Sequence, residues 1–288
     1  MSEHRSKPNK TRRPAARAAK NPLQKPWMQP KAKRAASAQV KPAKQSQHET
    51  KVYGENACRV LFQQRPESII RLYLNSEQVA KFADVMKFMA KQKKAYHIVE
   101  DHELEKIAAS AHHGGIVLLV KRKPSQELAS YLQQQTAKSD CLLALDGVGN
   151  PHNLGAISRS CAHFGVSGII MQQPELLQSG AALRTAEGGG EFIAGLSCDS
   201  LALSLQLCKQ AGYTLVTTSS HNGVSLYKTP LPEKVVVVFG EEMFGVSKSV
   251  AKTADVAVQI PGSGNVESLN VSVAASLIIG EWYRQQQK

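Results

Sequence analysis

From Val52 onward, short runs of apolar residues alternate with stretches in which apolar residues recur every three or four positions. Short apolar runs are typical of buried strands, and the longer spacing is typical of helices that pack one face on a core. Repeated alternation of the two predicts an α/β fold in which helices cover a largely parallel sheet.

Between residues 51 and 123 this pattern predicts a small α/β domain. Its strands are expected at 69–74, 95–99 and 115–120, and its helices at 55–62, 77–91 and 101–109. Residues 124–140 are rich in Lys, Ser and Gln and contain one helical pattern, at 127–134. We interpret them as a linker.

Residues 141–288 predict a second and larger α/β domain. Its strands are expected at 142–146, 168–171, 214–218, 235–239 and 256–260, and its helices at 154–164, 181–186, 201–209, 247–251 and 269–284. The last of these helices is apolar around most of its circumference. It should therefore be buried on more than one side, within its own domain or against a second subunit.

The N-terminus is strongly basic. Residues 1–51 carry +12 of the net charge of +13, together with six prolines and few apolar residues. We expect residues 1–50 to be a disordered basic tail, because such a segment has too little apolar surface to form a core. A basic tail attracts polyanions, and RNA, DNA or an acidic membrane would all serve; a tail that only aids solubility is the alternative. A membrane-binding helix is disfavoured because the apolar residues do not recur at helical spacing, so we expect no membrane partner.

Several classes of protein are disfavoured. No apolar run reaches the length of a membrane span, and the charged N-terminus lacks the core of a secretory signal, so we expect a cytoplasmic protein. The five cysteines include no CxxC pair, which disfavours a disulfide framework or a zinc site and suggests core positions. His112 and His113 have no other metal-type residues nearby, and we expect no metal.

Unusual polar residues follow three of the predicted strands, where open α/β sheets bind ligands. Asn153 lies near the start of a helix, and Arg159 lies six residues further on among apolar and small residues. A charge there is expected to be buried, either at a ligand site or paired with a core carboxylate. Glu242 follows the apolar strand that ends at Gly240, and a capping carboxylate is an equally good interpretation of it.

The third segment, 260–273, joins a short apolar strand to the last helix through small and polar residues. Gly262 and Gly264 permit close approach of a ligand to the backbone. Ser268 and Asn270 stand where the helix begins, beside amide groups that have no partner inside it. An ordinary turn with Ser268 as the N-cap is the alternative.

Together, the order and spacing of these residues resemble the three motifs of the SpoU/TrmH family of SPOUT methyltransferases. The first, N-x-G-x-x-x-R, corresponds to Asn153, Gly155 and Arg159; the second, G-x-E-x-x-G, to Gly240, Glu242 and Gly245; the third to Pro261, Gly264, Ser268, Leu269 and Asn270. The resemblance extends from about residue 51 to 288. Residues 52–123 are similar, more loosely, to the small N-terminal RNA-binding domain of that family.

The resemblance implies a C-terminal domain with a deep trefoil knot that binds S-adenosyl-L-methionine. Backbone groups around Thr218, Gly240, Ile260 and Leu269 would hold this cofactor. Arg159 would contact the phosphate and the reacting hydroxyl, oriented with the ribose by the remaining site residues, Asn153, Glu242, Ser268 and Asn270. The family's site lies at a homodimer interface that the arginine crosses, which would account for the apolar last helix.

The implied function is transfer of a methyl group to a ribose 2′-hydroxyl of rRNA or tRNA, with RNA as partner. The alternative is a non-catalytic RNA-binding or ribosome-assembly factor that keeps the fold. Retention of all five polar site residues favours the enzyme. A nucleotide-dependent oxidoreductase is disfavoured because no G-x-G-x-x-G follows the first strand.

Overall fold

The structure, a computed structural model, describes residues 48–219, 223–241 and 244–287. All but the last three residues of the predicted tail, 1–50, lie outside this range, and Glu242 also lies outside it. Within it, no helix is both long and apolar enough to cross a membrane. Across the same residues, no group of three or more His, Cys, Asp or Glu side chains is arranged to hold a metal ion.

The N-terminal domain is a four-stranded sheet covered by helices. Its strands are β1 Glu49–Tyr53, β2 Ile69–Leu74, β3 Ala95–Ile98 and β4 Ile116–Lys121, and its helices are α1 Glu55–Gln64, α2 Ala83–Lys91 and α3 Asp101–Ala108. The strand order is β1-β4-β2-β3, with only β2 and β3 parallel. Leu61, Leu72 and Phe82 are fully buried between the sheet and its helices.

Two sequence predictions in this domain were wrong. Glu49 and Thr50 were assigned to the tail but belong to β1, which pairs with β4 along its whole length. The helix expected at 77–91 is a 3₁₀ turn at Ser76–Gln78 followed by α2. The N-cap of this turn is Asn75, whose side chain accepts a hydrogen bond from the Gln78 amide.

The C-terminal domain is an eight-stranded parallel sheet with helices on both faces. Its strands are β5 Gln126–Glu127, β6 Asp140–Asp146, β7 Gly168–Met171, β8 Ala194–Ser197, β9 Thr214–Thr218, β10 Val224–Ser225, β11 Lys234–Gly240 and β12 Val256–Gln259. Its helices are α4 Leu128–Gln134, α5 Pro151–Phe164, α6 Gly180–Thr185, α7 Leu201–Gln210, α8 Lys248–Ala251 and α9 Val271–Gln286. The strand order is β10-β12-β9-β11-β6-β7-β8-β5. The prediction of an α/β fold is confirmed.

Residues 124–140 are not a free linker. β5 adds a strand to the edge of the large sheet by pairing with β8, and Leu128 of α4 is buried in the core of this domain. Asp140 is already part of β6. The predicted boundary at 141 was therefore late, because the polar composition of this segment obscures a short edge strand and a helix that buries Leu128.

The two domains pack directly on one another through α6. Leu183 is only 4% exposed and belongs to the core of the N-terminal domain, although it lies on a helix of the C-terminal domain. A Cβ on Gly180 would lie 2.8 Å from the ring of Tyr53, so the small residue lets α6 approach β1. The Thr50 hydroxyl donates to the Gln178 carbonyl at 2.7 Å.

A buried carboxylate joins α4 to the N-terminal edge of the large sheet. Asp140 is buried and accepts hydrogen bonds from the hydroxyls of Tyr131 at 2.9 Å, Tyr213 and Ser167. Burial and the nearby charge of Asp140 raise the pKa of Tyr131 to about 12, and burial and the bond to Asp140 raise the pKa of Tyr213. Both tyrosines therefore remain neutral donors at physiological pH.

We expect Tyr213→Phe to lower the free energy of unfolding by about 1–3 kcal/mol, because it removes a donor from a buried carboxylate. Urea unfolding would measure the change. Tyr96→Phe is the control, since Tyr96 is exposed on β3 and its hydroxyl should contribute little. Equal stability of the two variants would contradict this role for the Asp140 cluster.

Candidate active site at the strand ends of the C-terminal domain

Three of the predicted cofactor positions meet at one edge of the sheet. Thr218 ends β9, Gly240 ends β11 and Ile260 directly follows β12. These three strands are neighbours and run parallel, so their carboxyl ends lie side by side. The Thr218 hydroxyl donates to the Val238 carbonyl at 3.3 Å, which ties β9 to β11 at this edge.

Two asparagines cap the helices that begin at the same edge. Asn150 caps α5, and its side-chain oxygen accepts from the amide of His152 at 2.9 Å. Asn270 caps α9, and its side-chain oxygen accepts from the amide of Ser272 at 2.9 Å. The Asn270 Nδ2 donates to the Asn153 Oδ1 at 3.1 Å. The first and third motifs are thus joined by a direct hydrogen bond.

Small residues allow α5 and α9 to lie close together. The hydroxyls of Ser160 and Ser276 are 2.7 Å apart, and a Cβ on Gly280 would lie 3.3 Å from the Phe164 ring. On another side of α5, a Cβ on Gly155 would lie 2.5 Å from the Ala182 carbonyl oxygen of α6. Gly155 therefore serves the packing of α5 against α6.

Arg159 is exposed, so the prediction that it is buried was wrong. It lies on α5 with His152 and His163 on a solvent-facing stripe, while Ile157 and Cys161 face the core. The spacing of seven and four residues along this stripe is the period of one helix face. Among the described residues, Arg159 has no hydrogen bond or ion pair, and this excludes a core carboxylate as its partner. Arg159 therefore makes no hydrogen bond to Asn270 within one chain.

The third motif forms an exposed loop. All residues from Pro261 to Asn270 are exposed, including the apolar Leu269, and α9 begins only at Val271. Ser268 therefore precedes the helix and is not its N-cap. α9 buries one face, whereas Val273 and Leu277 remain exposed at 48% and 40%. The expectation that α9 is buried on more than one side does not hold within a single chain.

Asp146 was not among the predicted site residues. This residue ends β6 and accepts a hydrogen bond from the amide of Ser247 at 2.8 Å, which fixes the segment after the second motif. A polar residue that ends a buried strand is the signal that could have identified it. Gly240 lies so close to Gly245 that a Cβ would overlap the backbone there.

Two clefts are open to solvent. The smaller, of about 460 Å³, is lined by Thr218, Ser219, Gly245 and Val246 among others. The larger, of about 700 Å³, lies between the N-terminal domain and Arg184, and none of the predicted site residues lines it. We regard the smaller cleft as the relevant one because it adjoins the strand ends. Gly240, Ile260 and Leu269 do not line it.

Family models match both domains. Residues 140–280 match the SpoU rRNA Methylase family, and residues 51–126 match the RNA 2′-O ribose methyltransferase substrate-binding domain. An Escherichia coli O157:H7 protein named "Uncharacterized tRNA/rRNA methyltransferase YfiF" is 46% identical over 84% of this chain and 70% of its own. The chain belongs to the SpoU methyltransferase family. This confirms the family resemblance.

Other members of the family extend the comparison. The 23S rRNA (guanosine-2′-O-)-methyltransferase RlmB of Shewanella oneidensis is 32% identical over 82% of this chain and 97% of its own. An AdoMet-bound rRNA methyltransferase from Sinorhizobium meliloti has the same fold, with a TM-score of 0.67 at 20% identity over 84% of this chain and 88% of its own. For a SpoU methyltransferase, S-adenosylmethionine (AdoMet) is the cofactor, as predicted.

Proposed function

We propose that this protein transfers a methyl group from AdoMet to a ribose 2′-hydroxyl of rRNA or tRNA. The observation that carries the proposal is the Asn270–Asn153 hydrogen bond, at the edge where β9, β11 and β12 end. In a member of this family, that bond brings the polar residues of two motifs to one place. The substrate-binding match of the N-terminal domain supports a 2′-hydroxyl as the acceptor.

The residues at this edge fit the cofactor. The smaller cleft, about 460 Å³, has the size usual for a small-molecule site. Gly262 and Gly264 have open space where a side chain would stand, so the backbone there is accessible. Backbone groups near Thr218, Gly240, Ile260 and Leu269 would hold the cofactor. Bound AdoMet supplies an electrophilic methyl group on its sulfonium.

The chain itself positions the acceptor and handles its charge. A guanidinium stays protonated at neutral pH, so Arg159 is not a base. Instead it binds the phosphate beside the target ribose and stabilises the oxyanion that develops on the 2′-oxygen. The proton leaves to a phosphate oxygen or to water. Asn153, Ser268 and Asn270 orient the ribose by hydrogen bonds, and Glu242, outside the described residues, shares this role.

We propose that the active form is a homodimer in which Arg159 serves the partner's site. Support comes from its exposure and from its lack of a hydrogen bond to Asn270 in its own chain. The exposed Val273 and Leu277 on α9 offer an apolar surface for such a contact. Oligomers of this kind use the same patch on both subunits.

We also propose the trefoil knot. Its support is the path of the chain, which passes from β11 beyond β9 to β12 and then returns so that α9 packs on α5. The threading brings α9 next to α5, where the motifs meet.

Transfer of labelled methyl from AdoMet to bulk RNA tests the proposal. RNA from a strain lacking the protein should accept label, and RNA from the parent strain should accept much less because its sites are already methylated. Calorimetry should show binding of AdoMet and none of NAD. Binding of AdoMet without transfer to either RNA would contradict the enzyme and favour the non-catalytic RNA-binding or ribosome-assembly factor.

A further inference from the structure

The turn that follows α6 packs against the backbone of Arg159 and carries an exposed aromatic ring. Phe192 directly follows the 3₁₀ turn Gly189–Glu191, is 55% exposed, and donates its amide to the Gly189 carbonyl at 3.1 Å. A Cβ on Gly189 would lie 3.0 Å from the Arg159 α carbon and 3.1 Å from the Ser158 carbonyl oxygen. Glycine thus lets this turn pack directly against α5 at the arginine.

Two cations from outside the C-terminal sheet anchor the turn. Arg65 makes a two-point ion pair with Glu191, with Nε 2.6 Å from Oε2 and Nη2 3.0 Å from Oε1. Both side chains are largely buried. The Lys123 ammonium donates to the carbonyls of Glu191 at 2.7 Å and Ile193 at 2.9 Å. These bonds on both sides of Phe192 fix the backbone that carries the ring.

The arrangement of charges and ring surface suits a nucleotide. The Arg159 guanidinium is exposed and, among the described residues, has no ion-pair partner, so it can bind a phosphate. An aromatic ring held on a rigid turn can bind a base by stacking, because every base has an apolar face. Fixing the backbone that carries the ring lowers the entropy lost on binding.

We propose that Phe192 stacks on an unpaired nucleobase of RNA bound beside Arg159. The proposal rests on the proposed function for its choice of ligand and adds a contact that positions the RNA. Phe192 is then a binding residue. Loss of its ring should weaken RNA binding more than it lowers the rate of methyl transfer in the bound complex. AdoMet binding should not depend on it.

Affinity of the full-length protein for a mixed-sequence single-stranded RNA is the first measurement. Phe192→Ala should weaken binding by about 5- to 150-fold, the effect expected for one stacked base. Phe192→Trp should retain affinity and add a fluorescence change when RNA binds. Leu203→Ala and Leu203→Trp are matched controls, since Leu203 is 63% exposed on α7, which packs on the opposite face of the sheet from α5. Both should leave affinity unchanged, and the added tryptophan should give no fluorescence change with RNA.

The outcomes separate this proposal from the proposed function. If the wild-type protein transfers no methyl group but Phe192→Ala still weakens RNA binding, the stacking contact stands and the proposed function fails. Unchanged affinity in Phe192→Ala would overturn the contact even if methyl transfer is observed. Sedimentation velocity supplies a third readout, because a loss of dimer caused by Phe192→Ala alone would place this ring against a second copy of the chain and overturn the proposal.

Discussion

Arg159→Ala is expected to lower kcat for methyl transfer to RNA by at least about a hundredfold, the effect of a positioned electrostatic group. AdoMet affinity should be unchanged, because Arg159 is exposed on α5 and is assigned to the RNA phosphate and the 2′-oxygen rather than to the cofactor. Single-turnover transfer at saturating RNA and AdoMet would measure the loss. The kcat of Arg159→Lys should lie between those of the wild type and Arg159→Ala, because an ammonium keeps the charge without the two-point geometry.

His163→Ala is the matched control, because His163 lies one turn beyond Arg159 on the same exposed stripe of α5. Its turnover should stay close to wild type. Wild-type kcat in Arg159→Ala would refute the assignment of Arg159 to the site. A similar loss in both variants would show that the surface of α5, rather than the guanidinium, is what matters.

Mixing two inactive variants is expected to restore activity. If Arg159 acts on the partner's site, a dimer of Arg159→Ala with Asn270→Ala contains one site with both residues intact and one with both replaced. Random mixing after subunit exchange should then give about a quarter of wild-type activity, from less than a hundredth for either variant alone. Steady-state transfer to RNA after co-refolding or co-expression would measure the recovery.

The control for this experiment is the double variant Arg159→Ala/Asn270→Ala mixed with wild type. In every mixed dimer, one site then has Arg159 replaced and the other has Asn270 replaced. It should give no more activity than the wild-type homodimers that remain. Failure of the two single variants to complement, with mixed dimers present, would show that Arg159 and Asn270 act within one chain.

Much of the fold followed from the sequence because buried parallel strands are short, continuous apolar runs. Ile69–Leu74, Gly168–Met171 and Thr214–Thr218 agree with the predicted bounds, and four of the five cysteines are buried as expected. β5 and β10 are two residues long and leave no periodic signal. β8 has only one large apolar residue, Leu196, and β1 begins with the polar Glu49 and Thr50, whose burial depends on contacts with distant residues.

The site was harder to predict because its geometry depends on contacts between helices. The spacing of the motifs predicted which residues belong to the site, but not that Asn270 rather than Ser268 caps α9. Both residue types are good caps, and the choice depends on where the chain turns. Arg159 was expected to be buried because apolar and small residues flank it in sequence. At 3.6 residues per turn those neighbours face the core and Arg159 does not.

Leu183 has a consequence for protein engineering. Because this side chain of α6 completes the core of the N-terminal domain, a chimera that receives this domain from a relative would have to receive a matching α6 as well. If the chains were joined at residue 123, the core of the transferred domain would pack against Leu183 of this chain instead of the residue of its own α6. Shuffling of substrate domains among these enzymes is thus constrained by one leucine outside the shuffled segment.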